Sequence, residues 1–214
     1  SGIIDPAGDI FPGSRGGQDW YTIPYPSSPC NDDYWMMAAD VQASADGAQL
    51  ESYDQIIYFS PYSSACGYSG STIIGSRTAY INGVFTVSNI AHEIGHQFKA
   101  GHALSYECYN GQTRVPLSAN CQTHEYGDPF DSMGGRIAHD YHYNAIHKGG
   151  FRWYEPTTPN RTIDVATSGT YTVQRFAYPE AGPKTLRIPR SGSQYFYVEY
   201  RQPYGFDAFP PNDP

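Results

Sequence analysis

Charge is scarce in this chain: only 16% of its 214 residues are Asp, Glu, Lys or Arg, and 13 carry a positive charge. A net charge of −8, with no run of Lys or Arg, excludes the basic surface that nucleic acid requires, so no nucleic-acid partner is expected. Long apolar runs are missing too, and with them any expectation of a membrane-spanning helix or a membrane partner. Cysteine is limited to Cys30, Cys66, Cys108 and Cys121, and none forms a CxxC pair. That spacing argues against a thiolate zinc ribbon or a redox dithiol. No internal repeat occurs. No signal peptide is visible, and Ser1 stands where an initiator Met would, so the chain reads as processed or trimmed.

What is abundant points outside the cell. The chain has 20 Tyr, 22 Gly and 17 Pro, a mixture suited to a loop-rich extracellular protein rather than a helical bundle. An even number of cysteines in such a chain suggests two disulfides and an oxidising compartment. The simplest pairing is Cys30–Cys66 and Cys108–Cys121, although three pairings are formally possible. A secreted monomer is the expectation. The length allows one sizeable core, or a core with a small appendage.

Local patterns give a coarse organisation. Residues 1–29 are rich in Gly, Pro and Asp, with one strand-like run at Trp20–Ile23. Asn31 or Asp32 can cap a helix running to Ala45 and ended by Asp46-Gly47. Tyr53–Phe59 reads as a buried strand, and Thr72–Ile81 as a second with a Gly interruption. In Val87–Phe98, Ile90, Ile94 and Phe98 recur on one helical face. After His102 the pattern is irregular as far as Met133. A helix is expected over Ile137–His147, ended by Gly149-Gly150. Pro156–Pro159 marks a boundary. Short runs at Thr162–Val165, Tyr171–Phe176, Thr185–Ile188 and Tyr195–Arg201 then suggest a small antiparallel β appendage, followed by an extended tail.

The informative segment is Ala91-His92-Glu93-Ile94-Gly95-His96-Gln97-Phe98-Lys99-Ala100-Gly101-His102. His92 and His96 are four apart on the expected helix, so both imidazoles share a face and can reach one ion. Continuing the helix would carry His102 off that face. The helix must therefore end near Phe98 or Lys99, with a left-handed Lys99 or with Gly101 permitting the turn. Three imidazoles leave a zinc ion one open corner for water, which is the pattern of a catalytic site and not of a structural one. Zinc brings the pKa of such a water to about 7, and Glu93 is placed to act as the general base. Nitrogen ligands favour zinc over calcium or magnesium.

This segment resembles the HExxHxxGxxH signature of the metzincin clan of zinc peptidases. Downstream, Tyr126-Gly-Asp-Pro-Phe-Asp-Ser-Met133-Gly134 resembles the clan's Met-turn, which implies that Met133 forms a floor beneath the three histidines. That wording, together with the Tyr53 strand, Cys66 and Gly67, looks most like the gametolysin-like peptidases. The resemblance covers about Trp20 to Trp153, with a weaker similarity over Leu186–Phe206. It implies a two-lobed α+β catalytic domain with its active-site cleft between the lobes, here residues 1–155, followed by a β-rich segment over 156–214. Two departures stand out. Lys99 occupies the clan's Gly position, and residues 1–19 do not match the strand and long helix with which such domains begin. Gly135 stands where some relatives place a tyrosine ligand, so no such ligand is assigned.

Other residues are read more plainly. His139, His142 and His147, with Asp140, are conceivable as a second metal site but fit better as helix residues packed or hydrogen-bonded nearby. His124 is unassigned. Asp128 and Asp131 carry too few carboxylates to support calcium. Asn160-Arg161-Thr162 fits a glycosylation sequon. Thr72–Ile81 is the expected edge strand along which a peptide would lie. The expected function is zinc-dependent endoproteolysis of extracellular proteins or glycoproteins. The rivals are a non-catalytic glycoprotein-binding module on the same fold and a zinc hydrolase of a non-peptide cell-wall bond.

Overall fold

A computed structural model describes residues 9–11, 20–117, 120–135, 140–153 and 161–207. The chain is mixed α and β, with three three-stranded sheets and three α-helices among the described residues. It divides into two compact units, one ending at Lys99 and the other starting at Ala100. The boundary expected at 155/156 lies outside the described residues, as do Asn160, His139 and the C-terminal tail.

In the first unit, helix α1 (Asp32–Ala45) starts at Asn31 and carries Asp32 and Asp33 in its first turn, where carboxylates suit the helix dipole. It ends at Asp46, and Gly47 takes a positive φ of 95° beyond it. Trp35, Ala38 and Ala43 form its buried face, and Trp35 lies 6.0 Å from the ring of Tyr80. The Cys30–Cys66 disulfide ties the start of this helix to the loop after strand β1 (Ile56–Ser60).

Strands β2 (Gly70–Ser71) and β3 (Thr78–Asn82) complete the first sheet, in the order β1-β3-β2. β3 pairs parallel with β1 and antiparallel with β2, so it is the central strand. Ala79, Tyr80, Ile81 and Asn82 are at most 2% exposed, as a strand covered on both faces requires. Asn82 clamps the loop before β2: its amide accepts from the Ser63 N–H at 2.7 Å and donates to the Ser63 and Tyr68 carbonyls.

Several expectations are corrected here. Trp20–Ile23 is not a strand, and β1 starts later than Tyr53 and is half-buried. Thr72–Ile81 is not one strand: residues 72–77 turn, with Gly75 at φ 80° and the Ser76 N–H donating to the Ile73 carbonyl. Ile73 and Ile74 have strong β propensity, but they sit on the exposed tip of that turn. Gly70–Ser71 is therefore one edge of the sheet, with β1 the other, and Thr78–Ile81 lies inside it.

Helix α2 (Val87–Gln97) packs on this sheet with an unexpected face. Its buried side chains are Ser88, Asn89, Glu93, His96 and Gln97, whereas Ile90, Ile94 and Phe98 are half-buried. Backbone partners offset part of this polar burial. Asn89 donates to the carbonyls of Ser69 and Val84, and Gln97 donates to those of Ile56 and Arg77.

The second unit contains a sheet that the sequence reading missed: β4 (Ser105–Asn110), β5 (Thr113–Arg114) and β6 (Cys121–His124), in the order β5-β4-β6 and antiparallel throughout. Cys108 and Cys121 are register partners and are disulfide-bonded. Only Cys108 is buried in these strands, so no hydrophobic alternation announces them. Helix α3 covers only Ala145–Gly150. The described residues 140–144 are not helical, because Asn144 caps the helix by accepting from the His147 N–H; 137–139 lie outside the described residues.

The last sheet, β7 (Thr162–Asp164), β8 (Thr185–Ser191) and β9 (Gln194–Glu199), is mixed rather than antiparallel. β7 runs parallel to β8, and β8–β9 is an antiparallel hairpin. Parallel pairing follows from the long connection between β7 and β8. Tyr171–Phe176 contributes no strand, only a bridge from Arg175 to Tyr200. No helix among the described residues is long and apolar enough to cross a membrane.

Candidate metal centre

One continuous stretch, residues 92–102, carries three histidines whose ligand atoms all lie within 4.8 Å of one another. Thr86 opens α2 by accepting from the Asn89 N–H, and one turn apart on the helix His92 and His96 stand with ring centroids 4.8 Å apart, nearly perpendicular. The helix stops at Phe98. Lys99 then takes the left-handed conformation at φ 73°, its N–H donating to the His96 carbonyl at 2.9 Å. Of the two hinges that the sequence allowed, Lys99 is the one used; a non-glycine residue there costs about 1 kcal/mol. The turn is braced from outside the helix, because the Gly75 N–H donates to the same His96 carbonyl.

Glu93 sits beside the first histidine and is 5% exposed. Its Oε2 is buried without a hydrogen-bond partner, and burial pushes its carboxyl above the ordinary range. Gly70 on the edge strand makes room for it: a Cβ there would lie 2.5 Å from Glu93 Oε1 and 2.7 Å from Cγ.

A loop in the second unit closes on the residues around His102. The Ala103 N–H donates to the Met133 carbonyl at 2.8 Å, and the Ala103 carbonyl accepts from Asp128. His102 Nδ1 lies 2.6 Å from Glu125 Oε1, and the Tyr126 ring is tilted over the imidazole with centroids 3.8 Å apart. Met133 is wholly buried. Gly134 and Gly135 are required by space, since a Cβ on Gly134 would meet the Asp128 carbonyl and one on Gly135 the Tyr126 carbonyl.

Asp131 organises this loop. Its Oδ1 accepts from the Met133 N–H at 2.6 Å, its Oδ2 accepts from the Asn144 N–H at 2.6 Å, and His147 Nδ1 lies 3.0 Å from Oδ2. Arg201 ties the same loop to the end of the last sheet by donating to the Phe130 carbonyl at 2.6 Å. Asp131→Ala strands the buried Met133 N–H and the part-buried Asn144 N–H, at a cost of about 3 kcal/mol. For a chain of this size the thermal midpoint is expected to fall by about 6–12 °C. A calorimetric scan that shows no shift refutes this role.

The remaining candidates among the described residues do not gather into a second centre. Among the described residues the triad is the group of three or more His, Cys, Asp or Glu that could hold an ion. His142 packs edge-on against Phe206, and burial, with Lys148 and Arg201 nearby, pushes it down to about 4. His147 is held by Asp131, and His124 lies 3.4 Å from Glu107. Asp128 turns inward and accepts from the Phe130 N–H, a capping role like that of Asp131.

The donor set suits a cation of the zinc type. All three donors are imidazole nitrogens, and the neighbouring carboxylate keeps an oxygen without a partner instead of joining them. Sequence reasoning singled out the histidines, which the structure brings together, and Glu93 and Met133, but not Glu125, Tyr126 or Gly70. The first two lie across a hairpin from His102 and the third on a neighbouring strand, so no spacing rule reaches them. No family model, curated protein or solved structure matched the chain in comparisons with known proteins.

Proposed function

We propose that this chain is a secreted zinc-dependent endopeptidase of the metzincin type, acting on extracellular proteins or glycoproteins. The observation that carries the reading is the convergence of His92, His96 and His102 beside a buried, incompletely bonded Glu93. His92, His96 and His102 would hold the zinc ion, which would supply Lewis acidity toward the scissile carbonyl and the attacking water. Glu93 takes the proton from the attacking water and returns it to the leaving amine. Met133 is the counterpart of the clan's methionine floor; its burial and its turn of Asp131, Gly134 and Gly135 support that assignment. The short edge strand Gly70–Ser71 offers a peptide its backbone pairing next to Glu93. The two disulfides agree with an oxidising compartment.

The test is hydrolysis of casein by the purified protein, blocked by a chelator and restored by zinc. Failure to cleave any protein or peptide with zinc bound favours a glycoprotein-binding module. Release of products from a cell-wall extract but not from a peptide library favours a different hydrolase.

Gly70 gives a sharper prediction. In Gly70→Ala the new methyl falls on the Glu93 carboxylate and displaces it by the order of an ångström. Misplacement on that scale costs about 100-fold in rate. Turnover is expected to drop by that factor while zinc content, measured by metal analysis, stays at the wild-type level. Unchanged turnover removes Gly70 from the design.

A further inference from the structure

We infer that Glu125 is a positioning residue for the third metal ligand, holding His102 in the tautomer whose Nε2 faces the ion. The inference rests on the metal-centre reading and deepens it. The Glu125 carboxylate can only accept, so the 2.6 Å contact places a proton on His102 Nδ1. A neutral imidazole protonated at Nδ1 presents its lone pair at Nε2, the ring nitrogen opposite Glu125. The Tyr126 ring, 3.8 Å away, limits rotation of the imidazole about its own axis.

The placement comes from the chain around it. His124 pairs with Ser105 in the β4–β6 register, so Glu125 emerges from the sheet where β4 begins, three positions after His102. Tyr126 is set at φ 59°, and its carbonyl accepts from the Gly135 N–H at 2.7 Å. The Gly127 N–H donates back to the His124 carbonyl, closing a tight turn around Glu125 and Tyr126. The same loop carries Met133, whose carbonyl holds Ala103. One loop thus fixes the backbone, the ring face and the outer nitrogen of the residue that bears the third ligand. Since a neutral acceptor keeps the tautomer but not the charge, Glu125→Gln and Glu125→Ala separate the two contributions.

The experiment measures zinc affinity by competition with a chromogenic chelator in wild type, Glu125→Gln and Glu125→Ala. It is paired with long-range nitrogen NMR of His102 in the metal-free protein above pH 8. Loss of such a partner lowers metal affinity by about 10- to 100-fold, and Glu125→Ala is expected to fall in that range with Glu125→Gln between it and wild type. NMR is expected to report the Nδ1–H tautomer in wild type and Glu125→Gln, and a mixture in Glu125→Ala. Glu107→Gln, which alters a carboxylate beside His124, is the control and should bind zinc like wild type. Tight zinc binding by wild type with equal affinity in Glu125→Ala overturns the role of Glu125 alone, as does an Nε2–H tautomer in wild type. No zinc binding by wild type overturns the metal centre itself, and this inference with it.

Discussion

Glu93→Gln is expected to keep its zinc and lose about 10²- to 10⁴-fold in kcat, the range that a positioned general base contributes. Glutamine matches glutamate in shape, so the cradle left by Gly70 still accepts it and the helix is not disturbed. The substitution removes the charge that attracts a proton and leaves His92 and His96 where they are. Metal analysis should therefore show wild-type zinc, and the thermal midpoint should remain near that of wild type. Turnover of casein or a quenched-fluorescence peptide is the decisive measurement. A variant that works at the wild-type rate means that another group moves the proton, and the proposed mechanism fails.

His102→Ala has the opposite signature. Two helical imidazoles remain, but the ligand supplied from beyond the Lys99 turn is gone. Losing a hydrogen-bond partner of a ligand already costs about 10- to 100-fold in affinity, so removing the ligand is expected to cost more than about 100-fold. The purified variant should lose its zinc on dialysis and be inactive. Because His102 is only half-buried, its loss leaves no large cavity and the fold should survive. A variant with full zinc content places the third ligand elsewhere. Together the two variants separate holding the ion from using it.

What was legible in the sequence depended on how local the cause was. Helix α2 and its end were readable because the four-residue spacing of His92 and His96 and the need to bring His102 back are properties of a dozen consecutive residues. The end of helix α1 was readable from Asp46-Gly47 for the same reason, whereas Asn31 stands before its first turn without a side-chain capping bond. The buried face of α2 was not. The pattern of Ile90, Ile94 and Phe98 pointed to an apolar stripe, while the structure buries Asn89, Glu93 and Gln97 and supplies Asn89 and Gln97 with backbone partners from Ile56, Ser69, Arg77 and Val84. Those partners belong to other segments, so hydrophobicity alone ranked the faces wrongly. The β4–β6 strands were invisible because their cross-strand contacts involve exposed polar side chains and a disulfide rather than an alternating apolar row. The edge strand was misplaced because β-branched residues at 72–74 mimic a strand, while Gly75 turns the chain. The reading of Met133 rested on its neighbours' resemblance to a known turn, while the bond from its N–H to Asp131 joins residues whose roles no spacing rule links.

The covalent link between β4 and β6 divides that hairpin into two halves with different freedoms. On one side of Cys108–Cys121 are Ser105 and His124, next to the grip on the third imidazole; on the other is the distal end at Asn110 and Thr113. The bridge isolates the first from the second. Insertions or grafted epitopes at the far tip can lengthen the excursion with little entropic cost, while the near end keeps its spacing. The tip is thus the natural place to attach a probe or a tether without touching the three imidazoles.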